Sequence, residues 1–263
     1  MQVFNFEKIS EVRLVNEENV LGTYAYVGEI IFNAEYKLAL EFIRSVKEEA
    51  LRKYKRMHYE TSATRFDKSW TGLLGEEVCK FVLSKFILSK FKNVEICEKQ
   101  KVYTRGYDGG DVVLNVDNKQ RIINVSTRKL SKKDDVLNVV LRPDEYFVLI
   151  PEDQFEQYTV KSRLALFVFL KPKSENHVQI DNDTLSVITK ADFIIPGYLT
   201  NTDVLTLKEK GYIFFKRKEE KIRGLYDSLT YEVQMHTNNY VIFVNFLKKF
   251  SLKQLSNDVF KSH

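Results

Sequence analysis

Three short segments of the chain combine acidic, amide and basic side chains with glycine. They are Gly72-Leu-Leu-Gly-Glu76-Glu77, Gly106-Tyr-Asp108-Gly-Gly-Asp111 and Asn124-Val-Ser126-Thr-Arg128-Lys129. Hydrolysis of a phosphodiester with a divalent cation needs hard oxygen ligands that converge on one point, and a group that orients or deprotonates water. The segments supply both kinds of group, provided that the fold brings them together.

The second and third segments are predicted to form a β-hairpin. Its strands are predicted at Asp111–Val116 and Arg121–Thr127, and the sequence between them, Asp117-Asn-Lys-Gln120, is typical of a turn. Two glycines directly precede Asp111, and they would let a backbone or a phosphate approach closely. The hairpin would therefore hold the two segments side by side.

The third segment should present its polar side chains on one face of its strand. Side chains alternate between the two faces of a strand, so Asn124, Ser126 and Arg128 should point the same way. A carboxylate of the preceding helix, from Glu76 or Glu77, could complete a cluster with Asp111 and Asn124. We expect these groups to lie in one small cleft.

Helices and strands are predicted around this hairpin from the spacing of apolar residues. Helices are expected from about residue 34 to 58 and from about 70 to 92, separated by a polar, turn-like stretch at 59–70. A short helix is expected at Thr202–Lys210 and a C-terminal helix at Val241–Phe250. The other predicted strands are Glu11–Leu14, Tyr24–Phe32, Glu95–Tyr103, Tyr146–Ile150, Ala165–Leu170, Ser186–Ile188, Tyr212–Lys216 and Leu229–Gln234. Helices followed by a meander of strands indicate an α/β fold with a mixed sheet.

Composition indicates an ordinary globular chain rather than a disordered, secreted or membrane protein. Apolar residues make up 44% and charged residues 29%, and the net charge is +5. That charge is compatible with a polyanionic partner such as nucleic acid. The two cysteines, Cys79 and Cys97, do not form a disulfide framework or a CxxC metal pair. No signal peptide or membrane span is visible, so we expect a cytoplasmic protein.

The three segments, in this order, resemble the PD-(D/E)xK superfamily of restriction enzymes, repair nucleases and phage or CRISPR nucleases. In that superfamily a helix with GxxGE precedes a strand with an acid and then a strand with (D/E)xK. Here Gly72–Glu76 matches the helix, Asp111 the first acid, and Asn124-Val-Ser126 the third motif. The resemblance covers roughly residues 70–150.

The resemblance implies a restriction-endonuclease-like mixed sheet flanked by helices, in a single domain spanning residues 1–263. Its core would span about residues 70–200, with an N-terminal helix and strands at 1–69 and a β-rich extension at 201–263. It also implies a Mg²⁺-dependent endonuclease, with Mn²⁺ as a substitute ion, that cleaves duplex DNA and could act as a homodimer. Basic side chains near the site would bind the DNA, namely Arg105, Arg121, Lys132 and Lys133.

The resemblance also implies a role for each site residue. Asp111 would ligate the ion, and Glu76, with Glu77 as the alternative, would do so directly or through water. Asn124 would ligate it weakly or position the attacking water. The third motif departs from the family, because Asn124 stands where an acid is usual and Ser126 where a lysine is usual. Ser126 and Arg128, with Lys129 as a further candidate, would then stand where the group that orients water and stabilises charge belongs.

Two other interpretations stay open at this point. In the first, the chain keeps the nuclease fold without its metal site and acts as a nucleic-acid-binding or assembly subunit. In the second, the same residues have ordinary structural roles. The helix carboxylates would be solvated near a helix start, Asp108 and Asp111 would belong to a turn, and the polar residues of the third segment would form the face of a half-exposed strand.

Overall fold

A computed structural model describes residues 3–13, 15–16, 19–20, 25–33, 35–53, 61–87, 94–97, 111–117, 119–161, 164–217, 220–226, 229–234, 238–250, 255 and 258. Four long strands from both halves of the chain lie next to one another in its main sheet. They are β1 (Phe4–Val12), β4 (Ala25–Phe32), β9 (Leu164–Ile180) and β10 (Asp183–Thr200). A two-residue pair, β2 (Val15–Asn16) and β3 (Asn19–Val20), lies between β1 and β4 in the sequence. The predicted N-terminal extension is therefore part of the main sheet.

Three further strands complete a seven-stranded sheet. They are β5 (Val94–Cys97), β6 (Val112–Val116) and β7 (Lys119–Lys129). The spatial order is β1-β4-β10-β9-β7-β6-β5, and among these neighbours β7 and β9 are parallel while the others are antiparallel. The predicted α/β class with a mixed sheet is confirmed.

Two helices, α1 (Tyr36–Lys53) and α2 (Ser62–Val82), pack on one face of the sheet. Helix α2 begins eight residues before the predicted start at Trp70, because Thr61 caps it by accepting a hydrogen bond from the Thr64 amide at 3.2 Å. Phe66 and Trp70 then lie fully buried on the same side of the helix. The indole of Trp70 donates to the Ile188 carbonyl at 3.1 Å, which ties α2 to β10. The turn predicted for residues 59–70 is therefore wrong from Ser62 onward.

The opposite face of the sheet is covered by a smaller, three-stranded antiparallel sheet. Its strands are β8 (Phe147–Pro151), β11 (Phe214–Lys216) and β14 (Asn239–Phe243), in the order β11-β14-β8. Val148, Ile150 and Ile242 point inward and pack with Phe167 and Phe169 of β9. The helix predicted at Val241–Phe250 is wrong, because Asn239–Phe243 pairs as a strand with both β8 and β11.

Short helices and a hairpin surround the smaller sheet. Helix α3 (Asn138–Leu141) precedes β8, and helix α4 (Asn201–Glu209) follows β10 with a capping box between Thr200 and Asp203. Strands β12 (Lys221–Tyr226) and β13 (Leu229–Gln234) form a separate hairpin. Each described helix is too short or too polar to traverse a bilayer.

One buried carboxylate joins four neighbouring strands of the main sheet. The Glu29 side chain on β4 is 3% exposed, and its two oxygens lie 3.0 Å from Nζ of Lys8 on β1 and 2.6 Å from Nζ of Lys173 on β9. Lys190 of β10 approaches to 3.3 Å, and Lys173 also contacts Asp192 at 2.7 Å. The group forms an ion-pair network across the sheet, away from the hairpin of β6 and β7.

Candidate functional site

The β6–β7 hairpin forms as predicted and brings the second and third segments together. Val112 pairs with Ile123, so continuing the antiparallel register by one residue places Asp111 opposite Asn124. One carboxylate oxygen of Asp111 accepts a hydrogen bond from the Val125 amide at 2.6 Å. Asp111 is thereby fixed against β7 beside the third segment.

Helix α2 brings a second carboxylate to the same region. The pKa of the Cys79 thiol is raised well above its usual value, first by complete burial and then by the negative charges of Asp111 and Glu76. Both carboxylates therefore lie close to one thiol. Glu77 instead pairs with Lys80 along the helix, at 2.6 Å. Of the two helix carboxylates, Glu76 is the one whose charge acts on Cys79 together with that of Asp111.

Close packing of α2 on β7 requires glycine at position 75. A Cβ atom at Gly75 would lie 1.9 Å from Oγ1 of Thr127, whereas a Cβ at Gly72 would meet nothing within 4 Å. Both glycines lie inside the helix, and glycine there costs about 0.5–1 kcal/mol relative to alanine. In the GxxG segment, packing therefore requires glycine at position 75 but not at position 72.

Substitution of the two glycines should have opposite effects. Gly75→Ala should lower the free energy of unfolding by about 1–3 kcal/mol, because overpacking displaces Thr127 and its strand. Gly72→Ala is the matched control and should raise it by about 0.5–1 kcal/mol, because alanine favours the helix. Urea denaturation measures both. Equal effects of the two substitutions would contradict the close helix–strand contact.

Ser126 and Arg128, which were predicted to take part in catalysis, contact the smaller sheet instead. The Ser126 hydroxyl donates to the Leu149 carbonyl at 3.2 Å, and the Arg128 guanidinium donates to the Phe147 carbonyl at 2.6 Å. The guanidinium carbon of Arg128 also lies 3.9 Å from the centre of the Phe147 ring. Strand β8 is an edge strand, so these side chains satisfy carbonyls that face away from β14.

Lys129 points to the opposite side of β7. Its ammonium group lies 3.2 Å from Asp67 on α2 and 2.9 Å from Glu175 on β9. The period-two alternation of the strand separates it from Arg128, so the two cations cannot act on one group from the same face. Lys129 therefore ties the helix layer to the sheet.

Asn124 is buried, with 2% of its surface exposed. Ser126 and Arg128 are partly buried between the two sheets. The interpretation of this face of β7 as a half-exposed polar surface is therefore wrong at Asn124, because β8 and the rest of the smaller sheet pack on that side.

The described donors do not by themselves complete a site for Mg²⁺ or Mn²⁺. Two carboxylates, Asp111 and Glu76, lie near Cys79, with Asn124 beside Asp111. Within the described ranges, however, no group of three or more His, Cys, Asp or Glu side chains could hold a metal ion. Asp108 and the two glycines after it lie outside those ranges. The Mg²⁺ site thus stays a prediction.

The predicted DNA-binding residues lie in different settings. Lys132 and Lys133 are exposed in the segment that follows β7, and Arg121 is half-buried in β7 itself. Arg105 lies outside the described residues. Lys132 and Lys133 are therefore the predicted contacts that a phosphate backbone could reach.

Sequence reasoning missed the partners of Ser126 and Arg128. The strand that provides them was expected at Tyr146–Ile150, so the element itself was visible in the sequence. The sequence carries no local signal for which edge of β8 stays unpaired, because β8 pairs with β14, about ninety residues away along the chain.

Comparison with models of known protein families, with curated proteins and with solved structures finds no match for this chain.

Proposed function

We propose that this chain is a DNA-binding protein with a restriction-endonuclease-like core that does not cleave its ligand. The observation that carries the proposal is the use of Ser126 and Arg128 to dock the smaller sheet. In the nuclease pattern the lysine at the position of Ser126 orients water and stabilises charge, and Arg128 was the candidate to supply that charge here. Here their side chains are bound to the Leu149 and Phe147 carbonyls, and a hydrogen bond from a charged group of this kind contributes about 1.5–3 kcal/mol to stability.

The arrangement of elements supports the nuclease-like core. A helix carrying the GxxGE segment packs on an antiparallel hairpin, and in that hairpin the Asp111 carboxylate accepts from the Val125 amide, next to Asn124. The next strand of the sheet, β9, runs parallel to β7. The three motifs therefore lie on adjacent elements in the order that the superfamily pattern requires.

Charge supports DNA as the ligand. The chain carries a net charge of +5, and two adjacent exposed lysines, Lys132 and Lys133, follow the strand of the third motif. Basic side chains of this kind bind phosphates without reading sequence. Duplex DNA would lie along Lys132 and Lys133, beyond the C-terminal end of β7, whereas Arg121 lies near the opposite end of that strand.

A metal-dependent endonuclease is the second candidate, and one observation favours it. Asp111 and Glu76 both raise the pKa of Cys79, so two carboxylates act on the same thiol, and both are of the kind that a shared ion would require. Asp111 and Glu76 would hold Mg²⁺ or Mn²⁺ in that case, and the ion would activate water for hydrolysis. Asn124 points to the face of β7 opposite to α2, so it lies away from Glu76. The burial of Asn124 and the contacts of Arg128 favour the non-cleaving protein.

Binding to duplex DNA at several salt concentrations tests the ligand. Affinity should fall as salt rises, with a log–log slope of about −0.9 for each phosphate neutralised. Lys132→Ala with Lys133→Ala should make that slope shallower by about 2 units, since each lysine accounts for about one phosphate. The matched control is Lys37→Ala with Lys210→Ala, two exposed lysines elsewhere in the chain.

The control pair should leave both affinity and slope unchanged. Fluorescence anisotropy with a labelled duplex of about 20 base pairs measures all three proteins. Absence of binding at low salt, or an equal loss in the control pair, would remove duplex DNA as the ligand.

A further inference from the structure

An open groove lies on the outer face of the smaller sheet, on the side that does not pack against the main sheet. It is bounded by the sheet and by the hairpin of β12 and β13, and it has a volume of about 380 Å³. The described part of its lining includes four apolar and two basic residues, namely Phe214, Val241, Phe243, Ile222, Lys216 and Lys221. The groove is separate from the β6–β7 hairpin, because none of its lining residues belongs to either strand.

The groove has a buried aliphatic floor and an exposed aromatic wall. Val241 and Ile222 are 2% and 6% exposed, whereas Phe214 is 45% exposed. The rings of Phe214 and Phe243 meet edge to face, with centres 6.3 Å apart and planes at 77°. A flat ring of a ligand could therefore lie on Phe214 while its edge contacts Phe243.

The charge of the lining selects for an anion. Among the described residues that line the groove, Lys216 and Lys221 are the charged ones. An apolar wall with ammonium groups beside it suits a molecule that joins flat rings to phosphates. Single-stranded nucleic acid has this chemistry, and base stacking on aromatic side chains is its usual mode of binding.

A duplex fits the groove poorly, because its bases are stacked on one another and their faces are covered. A volume of about 380 Å³ is near the lower end of the range of small-ligand pockets, about 300–1,000 Å³, which suits a splayed base. We propose that this groove binds single-stranded nucleic acid, with a base on Phe214 and phosphates on Lys216 and Lys221. The inference rests on the proposed function, since it extends nucleic-acid binding to a second surface.

The test compares a labelled oligothymidylate strand with the labelled duplex used above. Phe214→Ala should weaken binding of the strand by about 10-fold, a typical cost of losing one stacked base, and should leave duplex binding unchanged. Phe215→Ala is the matched control, because Phe215 is 40% exposed on the neighbouring position of β11 and faces Tyr240 instead. It should change neither affinity. Lys216→Ala with Lys221→Ala should weaken strand binding and lower its salt slope.

Four outcomes would overturn the inference. They are failure of the unsubstituted protein to bind the strand, equal losses in Phe214→Ala and Phe215→Ala, binding of thymidine monophosphate as tight as that of the strand, and an unchanged salt slope after the lysine substitutions. If the strand fails to bind while duplex binding persists, the groove is wrong and the proposed function stands. If the duplex does not bind while the strand binds at the groove, the proposed binding of duplex DNA is wrong and the groove stands as a site for single strands.

Crosslinking locates the bound strand on the unsubstituted protein, so this test does not depend on whether the variants fold. A strand carrying 4-thiothymidine should crosslink to the groove, on the peptide that contains Phe214 or on the one that contains Phe243. Crosslinks confined to the segment after β7 would contradict the groove.

Discussion

Replacing Glu29 by glutamine should lower the free energy of unfolding by about 3 kcal/mol, near the low end of the cost of breaking a buried ion pair. The carboxylate is 3% exposed and contacts Lys8, Lys173 and Lys190. Glutamine keeps the size of the side chain and removes its charge, so three ammonium groups would be left with Asp192 as their acidic neighbour in this network. The lysines are partly exposed, which lets water solvate them and limits the loss.

The effect of this carboxylate on stability should depend on pH. A hydrogen bond from Lys173 lowers the pKa of Glu29 to about 2, against the opposing effect of burial and with further help from Lys8 and Lys190. Because the folded protein holds the charged form more strongly than the unfolded chain, the contribution is fully present above the ordinary pKa of 4.5. It is lost as pH falls toward about 2.

Chemical denaturation at pH 7 and at pH 3 checks both statements. The difference between the unsubstituted protein and Glu29→Gln should be largest at pH 7 and should shrink at pH 3. Glu7→Gln is the matched control, because Glu7 is exposed and pairs in register with Glu29 on the neighbouring strand. A change within about 0.5 kcal/mol is expected there. Equal losses in both variants would contradict the network.

Asn124→Asp should also be strongly destabilising at neutral pH. Asn124 is 2% exposed and lies opposite Asp111 when the register of β6 and β7 is continued. A new carboxylate there would be buried beside an existing one, and both effects raise its pKa. A rise of two to three units corresponds to a loss of about 3–4 kcal/mol, at about 1.4 kcal/mol per unit.

The pH dependence of this loss has the opposite sign to that of Glu29. The folded protein would favour the protonated form of the new carboxyl, so the penalty is greatest above its raised pKa. It disappears below the pKa of an unfolded aspartate, about 3.9. Asn115→Asp is the matched control on β6, at a partly exposed position, and should cost less than 1 kcal/mol or so. Equal losses at the two positions would contradict the burial of Asn124.

Elements with strong local signals could be predicted from the sequence. The β6–β7 hairpin followed from alternation and from its turn residues, and the helix Asn201–Glu209 from its apolar spacing. The long strands were predicted too short. Strand β9 continues to Ile180 because its outer half pairs with β10 while its polar side chains face solvent, which removes the apolar signal.

The chemistry of the third motif could be predicted only in part. Its residues and their common face follow from sequence and alternation. The structure adds that β8 packs on this face, with Ser126 and Arg128 bound to its carbonyls. That contact joins β7 of the main sheet to β8 of the smaller sheet, so no local sequence pattern predicts it. The separation of Lys129 from Arg128 follows from alternation alone.

A cleavage assay distinguishes a non-cleaving DNA-binding protein from a metal-dependent endonuclease. Supercoiled plasmid is incubated with the unsubstituted protein and with Asp111→Ala in Mg²⁺ and, separately, in Mn²⁺, while duplex binding is measured in the same buffers. The account predicts that both proteins bind the duplex and that the plasmid stays supercoiled with both. Nicking or linearisation by the unsubstituted protein that disappears in Asp111→Ala would contradict it and would establish the metal-dependent endonuclease instead.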